Sequence, residues 1–414
     1  MTRETLHVGI DVALQQNAVS FVDGQGNVLS TMKSVPNTAA GAELIEKEIR
    51  WLVNDHSFQQ VRVGTEATSY YDIHLLEHLL KDGSGDGVPL SAYRINPRLI
   101  KNFKKSFTEG SKTDQIDSFF VAEYVRFRVL LPEYRKESGY QALRHLTRFR
   151  HCVVKNITAE TSRFTSSLFL HIPGIVQQKP IDPAGNTMLK LAGEYLTPDQ
   201  ILQMPLNELA ALLAKYARNG FDDPEAKALE LKNAAEQSFE ISDELDGVLT
   251  FIEATIADNI KTSQRCLKII EAEIAKRMKQ IPNTLQSVRG IGPVYAAGIA
   301  AEIGDITKYT SDTQIAKRAG LVWDRHQSAD RSRADTPMSH HGNKVLRYYL
   351  IEAANSLRVH NEQYCRYYQK KYNEVKEHNH RRALVLTARK LVRLVYSLLK
   401  TNQIYNPAVV AQQP

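Results

Sequence analysis

The sequence predicts an α/β N-terminal unit, a long helical middle with coiled-coil character and an all-α C-terminal unit. Three observations carry this. Short β-rich runs alternate with helical patterns over about the first 130 residues. From about Tyr140 to Leu170 the chain has no Gly or Pro, and from Pro224 to Pro282 only Gly247 interrupts a helical run. After Asn283, helical patterns resume around Gly-rich joints and continue to about Tyr405. The 414 residues exceed the usual size of one domain. Expected boundaries are 1–135, 136–282 and 283–405, with 406–414 as a disordered tail.

In order, Leu6–Val12 reads as a buried strand, and Ala18–Val22 and Val28–Met32 follow around the turn Asp23-Gly24-Gln25-Gly26-Asn27. Leu44, Ile45, Ile49 and Leu52 place a helix over Thr38–Asn54. Val61–Glu66 is a fourth strand, Tyr71–Leu80 a helix and Leu90–Ile95 a fifth strand; helices over Arg98–Phe107 and Asp114–Arg128 close the unit. That order matches an RNase H-like fold, and actin-like sugar kinases begin the same way. In the middle, Ile260, Leu267, Ile274 and Ile281 recur every seven residues, with Leu249, Ile256 and Ile270 on a second track. Such a seam serves a dimer contact or an internal hairpin with the Tyr140–Leu170 helix.

Hydrophobic residues make up 43% and charged residues 24%, the balance of a soluble globular chain. No apolar run reaches the ~20 residues that span a bilayer, and the N-terminus lacks a signal-peptide core, so a cytoplasmic, non-membrane protein is expected. Cys152, Cys266 and Cys365 lie far apart, which suits packing in a reducing compartment. The net charge is +7, unevenly spread. From Arg331 onward there are 15 Lys/Arg against 5 Asp/Glu. A second basic stretch holds Arg94, Arg98, Lys101, Lys104, Lys105 and Lys112, broken only by Glu109. Each could be a solvated helix face; two such clusters flanking candidate catalytic residues favour nucleic acid.

Those catalytic candidates are acids. Asp11 lies on the first strand, Glu66 ends the fourth, and Asp114 and Asp117 stand three apart on the closing helix. Adjacent first and fourth strands, with that helix against their ends, would gather four carboxylates able to hold two Mg2+ ions about 4 Å apart, with Mn2+ an alternative. Taken singly, Asp11 reads as a turn residue, Asp114 as a helix N-cap and Asp117 as a first-turn acid.

Gly9-Ile10-Asp11, Gly64-Thr65-Glu66 and Lys112-Thr113-Asp114-Gln115-Ile116-Asp117 resemble the DEDD motifs of insertion-sequence family 110 transposases, a group that includes the Piv-type DNA invertases. Gly290-Ile291-Gly292-Pro293, Ala296–Gly304, Ala319-Gly320-Leu321-Val322, Gln327-Ser328 and Gly342–Arg347 are similar to that family's second signature. The resemblance implies a RuvC-like domain in which the four acids bind magnesium. It implies a C-terminal transposase domain whose Ser328 attacks DNA to form a phosphoserine link, and a non-coding bridge RNA that pairs with donor and target DNA. A homo-oligomer, dimer or tetramer, in the bacterial nucleoid is expected. Two departures bear on the serine loop: Ala329 stands where the family usually has Gly, and His340-His341-Gly342 replaces a Lys-Arg-Gly run.

A serine hydroxyl needs a metal or base to activate it, which the acidic site could supply. Arg325, Arg331 and Arg333 around Ser328 suit phosphate oxygens, and Lys344 and Arg347 extend the basic surface. Gly290 and Gly292 precede a helix start, as in helix-hairpin-helix modules, where backbone amides could meet a DNA phosphate; a plain helix–helix turn is the alternative. Tyr348, Tyr349, Tyr364, Tyr367 and Tyr368 are either base-stacking or packing residues. The rival functions are a hydrolytic DEDD Holliday-junction resolvase that uses water, an actin-like sugar kinase and an inactive nucleic-acid-binding remnant. No Gly-Thr pair follows Asp11 to grip a nucleotide phosphate. Whether the acidic and serine half-sites come from one protomer or two stays open.

Overall fold

The computed structural model describes residues 4–67, 69–81, 87–107, 114–135, 138–194, 197–281, 283–323, 327–328, 331–332, 338 and 341–407. The chain divides into two compact units, Met1–Lys136 and Glu137–Pro414.

The first unit runs β1 (Thr5–Val12), β2 (Gln16–Val22), β3 (Val28–Pro36), α1 (Ala39–His56), β4 (Gln60–Glu66), α2 (Ile73–Lys81), β5 (Leu90–Ile95), α3 (Pro97–Lys104) and α4 (Asp114–Phe127). The sheet order is β3-β2-β1-β4-β5; β1, β2 and β3 are antiparallel neighbours, whereas β4 runs parallel to β1 and β5 parallel to β4. Strand alternation sorts the side chains. Leu6, Val8 and Ile10 of β1, with Val61 and Val63 of β4, join Ile45, Ile49 and Leu52 of α1 and Leu76 and Leu79 of α2 in one core. The opposite face takes α4, through Val121 and Val125 against Tyr93 and Ile95. Thr38, the expected start of this helix, caps α1 by accepting a hydrogen bond from the Gly41 amide.

The second unit is helical: α5 (Ser138–His171), α6 (Pro173–Gln178), α7 (Asn186–Gly193), α8 (Pro198–Gln203), α9 (Leu206–Ala217), α10 (Pro224–Glu236), α11 (Asp243–Met278), α12 (Pro293–Ile303), α13 (Asp312–Ala319), a small ladder of β6 (Gln327–Ser328) with β7 (Arg331–Ser332), then α14 (Lys344–His360), α15 (Glu362–Asn373) and α16 (Asn379–Thr401). One core gathers around α9, α10 and the first half of α11, and another around α12, α14 and α16. Most residues of the seven-residue tracks pack in or against these cores. Leu249, Ile260, Ile270 and Ile274 are buried, and the α5 residues Leu143, Val153, Phe164 and Leu168 join the same clusters. Arg150 of α5 adds an ion pair to Glu271 of α11.

Two expectations are corrected. The helical run from Pro224 does not break at Gly247, which sits inside α11; it breaks between Glu236 and Asp243. There, Ser238 returns its hydroxyl to the Ala234 carbonyl and Ser242 caps α11 by accepting from the Leu245 amide, two local bonds that compete with a continuous ladder. The C-terminal region is also not wholly helical, since it contains the β6–β7 ladder. Among the described residues no helix is long and apolar enough to cross a membrane.

Candidate active site

Asp11 and Glu66 lie at the C-terminal ends of neighbouring parallel strands, just beyond the last paired residues Ile10 and Thr65. Each follows a glycine by two, so Gly9 and Asp11 share a face, as do Gly64 and Glu66. That is the face covered by α4. A Cβ on Gly9 would stand 2.1 Å from the Ser118 carbonyl oxygen and 2.2 Å from the Ala122 amide nitrogen; one on Gly64 would stand 2.4 Å from Val125 Cγ2. Only glycine lets α4 rest directly on β1 and β4. The Ser20–Ser118 hydroxyl pair, at 2.7 Å, fixes the helix along β2. Asp117 precedes Ser118, and Asp114 opens the same helix one turn earlier. Asp114's backbone is described; its side chain lies outside the described set.

The electrostatics register this gathering. Burial pushes the Glu66 carboxyl up, the Lys104 ammonium opposes that rise, and the charges of Asp11 and Asp117 add to it. Lys104, at the end of α3, forms an ion pair with Asp117. Among the described residues no three His, Cys, Asp or Glu side chains are gathered closely enough to hold a metal ion as they stand. The donor set still fits a hard divalent cation: every candidate offers carboxylate oxygen, and a cation there would relieve the like-charge repulsion on Glu66.

The basic stretch divides by strand parity. Arg94 points to the other face of the sheet, where its guanidinium meets the fully buried Asp72 through Nε and Nη2, the latter at 2.7 Å, and Thr65 donates to the same carboxylate at 3.1 Å. Any phosphate at Arg94 would compete with that pair. Arg98, Lys101 and Lys105 are exposed on or just after α3, and Lys112 lies outside the described residues.

In the second unit, the backbone of Ser328 pairs with Arg331 across the β6–β7 ladder; neither side chain is described, and Arg325 and Arg333 lie outside the described residues. A buried polar frame flanks this segment in sequence. Glu302 of α12 is fully buried, takes Arg148 of α5 through both carboxylate oxygens at 2.6 and 2.9 Å, and accepts from the Asn343 side-chain amide at 2.6 Å. Burial alone would raise this carboxyl; the Arg148 and Asn343 hydrogen bonds and the Arg148 charge hold it below its ordinary range. Asn343 in turn caps α14, accepting from the amides of Val345 and Leu346. Its own amide donates to the Arg318 carbonyl at 2.6 Å. Gly320 and Gly342, both with positive φ, allow this crossing: a Cβ on Gly320 would lie 2.1 Å from the His341 carbonyl oxygen.

Lys344 is exposed at the start of α14, while Arg347 is half-buried and donates to the Ala319 carbonyl at 3.1 Å. Gly290 takes a positive φ, and Gly292 is the N-cap of α12, without a side-chain acceptor. Tyr349, Tyr364 and Tyr368 are buried, and the Tyr349 hydroxyl donates to the Thr147 carbonyl. Sequence reasoning missed Asp72 and Glu302 as organising carboxylates. The available signal for Glu302 was a lone acid in the otherwise apolar Ala296–Ile303 run.

Comparison with known proteins adds two family models and two relatives. A DEDD-type family model described as a transposase matches residues 8–173, and a model described as the IS116/IS110/IS902 transposase family matches residues 283–369. An uncharacterized 44.8 kDa protein of insertion element IS116 from Streptomyces clavuligerus is 23% identical over 413 residues, covering 98% of this chain and 97% of its own. An uncharacterized 42 kDa protein of insertion element IS900 from Mycobacterium paratuberculosis is 24% identical over 318 residues, covering 76% and 78%.

Proposed function

The chain belongs to the IS110 family of transposases, and from that premise we propose that it cleaves and rejoins DNA through a phosphoserine intermediate at Ser328, served by the acidic cluster of Asp11, Glu66, Asp114 and Asp117. The observation that carries the reading is the paired glycine–acid spacing on β1 and β4, which aims Asp11 and Glu66 at the face where α4 delivers Asp117. The sheet order, three antiparallel strands extended by two parallel ones, supports an RNase H-like, RuvC-like domain.

The four carboxylates would hold divalent cations, Mg2+ or Mn2+, which when bound supply charge neutralisation at a phosphodiester undergoing in-line displacement. This chain's own residues do the rest. Asp11 and Glu66 fix the donor oxygens on rigid strand ends, and Asp117 and Asp114 approach from one helix face. Ser328 Oγ attacks phosphorus as its proton leaves; the P–O bond to one strand breaks and releases a strand hydroxyl. The Ser–phosphate ester conserves the bond energy, so a second hydroxyl can reverse the step without ATP. Glu302 and Asn343 act as positioning residues, fixing the start of α14 beside the Ser328 segment in sequence. Arg331, Lys344 and Arg347 supply cations for the phosphate backbone, with donor and target DNA as substrates and an element-encoded bridge RNA as guide. A homo-oligomer would bring two DNA partners together.

Trapping tests this. Wild-type protein with element-end DNA, guide RNA and Mg2+ should give a covalent protein–DNA adduct that maps to Ser328 and is absent from Ser328→Ala. Cleavage with free ends and no adduct would favour the hydrolytic reading and overturn the serine mechanism.

A further inference from the structure

Within the second unit, α7, α9 and α11 enclose a cleft of about 750 Å3, remote in sequence from both expected basic clusters. Lys190, Arg218, Lys261, Arg265 and Lys268 line it against a single acid, Asp258. Among the described residues none of these five cations forms an ion pair with a carboxylate. Lys190 donates to the Tyr216 carbonyl at 2.7 Å, and Arg265 to the Thr262 hydroxyl at 3.1 Å. Lys261 lies half-buried over Gly193, where a Cβ would come within 2.5 Å of Nζ. The spacing 261, 265, 268 puts three cations on one stripe of α11, about 10 Å long at 1.5 Å rise per residue. Elsewhere in this unit cations do find local partners, as the Arg277–Glu273 and Lys227–Glu230 pairs show. Like charges concentrated in a concavity raise the local potential and select a polyanion that spans several of them.

We infer that this cleft binds the phosphodiester backbone of duplex DNA, making the helical middle a docking surface whose residues are distinct from those of the acidic and serine sites. The inference rests on nucleic acid being the substrate class of this transposase, not on the serine chemistry. A strand laid along α11 would meet Lys261, Arg265 and Lys268 in turn, with Arg218, the C-cap of α9, also lining the cleft.

The test uses the full chain without divalent cation, so that no strand is cut, and follows fluorescence anisotropy of a mixed-sequence DNA duplex and of a structured RNA over a salt series. The triple variant Lys261→Gln/Arg265→Gln/Lys268→Gln should weaken binding at least about tenfold and reduce the salt slope by roughly 2–3, given ~0.9 per duplex phosphate contact and ~0.7 for single strands. Loss on the duplex, with or without loss on the RNA, supports the inference; loss confined to the RNA overturns it. The single exposed change Arg265→Gln, with unaltered circular dichroism, should lower the slope by about 0.9. Wild-type affinity and slope on both probes would overturn the inference while leaving the adduct experiment untouched.

Discussion

Replacing Glu302 by Gln removes the charge at the centre of the C-terminal frame and leaves Arg148 facing a neutral amide. Breaking a fully buried pair by deleting one partner costs about 3–5 kcal/mol. Glu302 is 0% exposed, but the Arg148 side chain is 36% exposed and can turn toward water, so a loss of about 2–3 kcal/mol is expected. For a unit of this size that corresponds to a melting temperature lower by roughly 3–5 °C. The assay is thermal and urea unfolding followed by far-ultraviolet circular dichroism, whose signal comes mainly from the helices of the second unit. Because the carboxyl is held below its ordinary 4.5, the wild-type advantage is present above that pH and fades as pH falls through the folded value. The double variant Glu302→Gln/Arg148→Met removes both charges together and should recover part of the loss. A single variant as stable as wild type, or a double variant no better than the single, would refute the role given to this pair.

Lys104→Met removes the cation beside Asp117 and Glu66, so calorimetric Mn2+ affinity should rise about 5- to 10-fold, roughly 1–1.4 kcal/mol. Gly9→Ala places a Cβ against the backbone of α4, so a loss of about 3 kcal/mol or more is expected in urea unfolding, together with loss of metal binding. His171 of α5 is buried between Asp246 and Glu253 of α11, at 2.9 and 3.0 Å; burial lowers its pKa, but the two carboxylates outweigh burial and raise it above 6.5. Its contribution is therefore complete below 6.5 and is lost as pH rises through the folded value, and His171→Gln should flatten the unfolding free energy across that window.

The N-terminal elements were legible because each buries a face with a clear period: β5 runs Leu90–Ile95 as the alternation predicts, and α4 begins at Asp114. The acids were legible because a carboxylate ending an apolar strand needs a partner. What stayed hidden depends on facing. Arg94 sits in a basic run, yet strand parity turns it to Asp72, across the sheet from the acids. Lys104 reads as a phosphate contact until α3 brings it to Asp117. The break between α10 and α11 has no Gly or Pro; two serine side chains make it. The cleft cations on α7, at the end of α9 and on α11 come from distant stretches whose local charge is unremarked in sequence.

The central claim, that the carboxylates on β1, β4 and α4 form one divalent-cation site, is tested most directly by Mn2+ binding followed by electron paramagnetic resonance. Asp11→Asn and Glu66→Gln should each abolish the bound-ion signal, whereas Ser328→Ala should keep it. Equal Mn2+ binding by all three variants and wild type would contradict the claim.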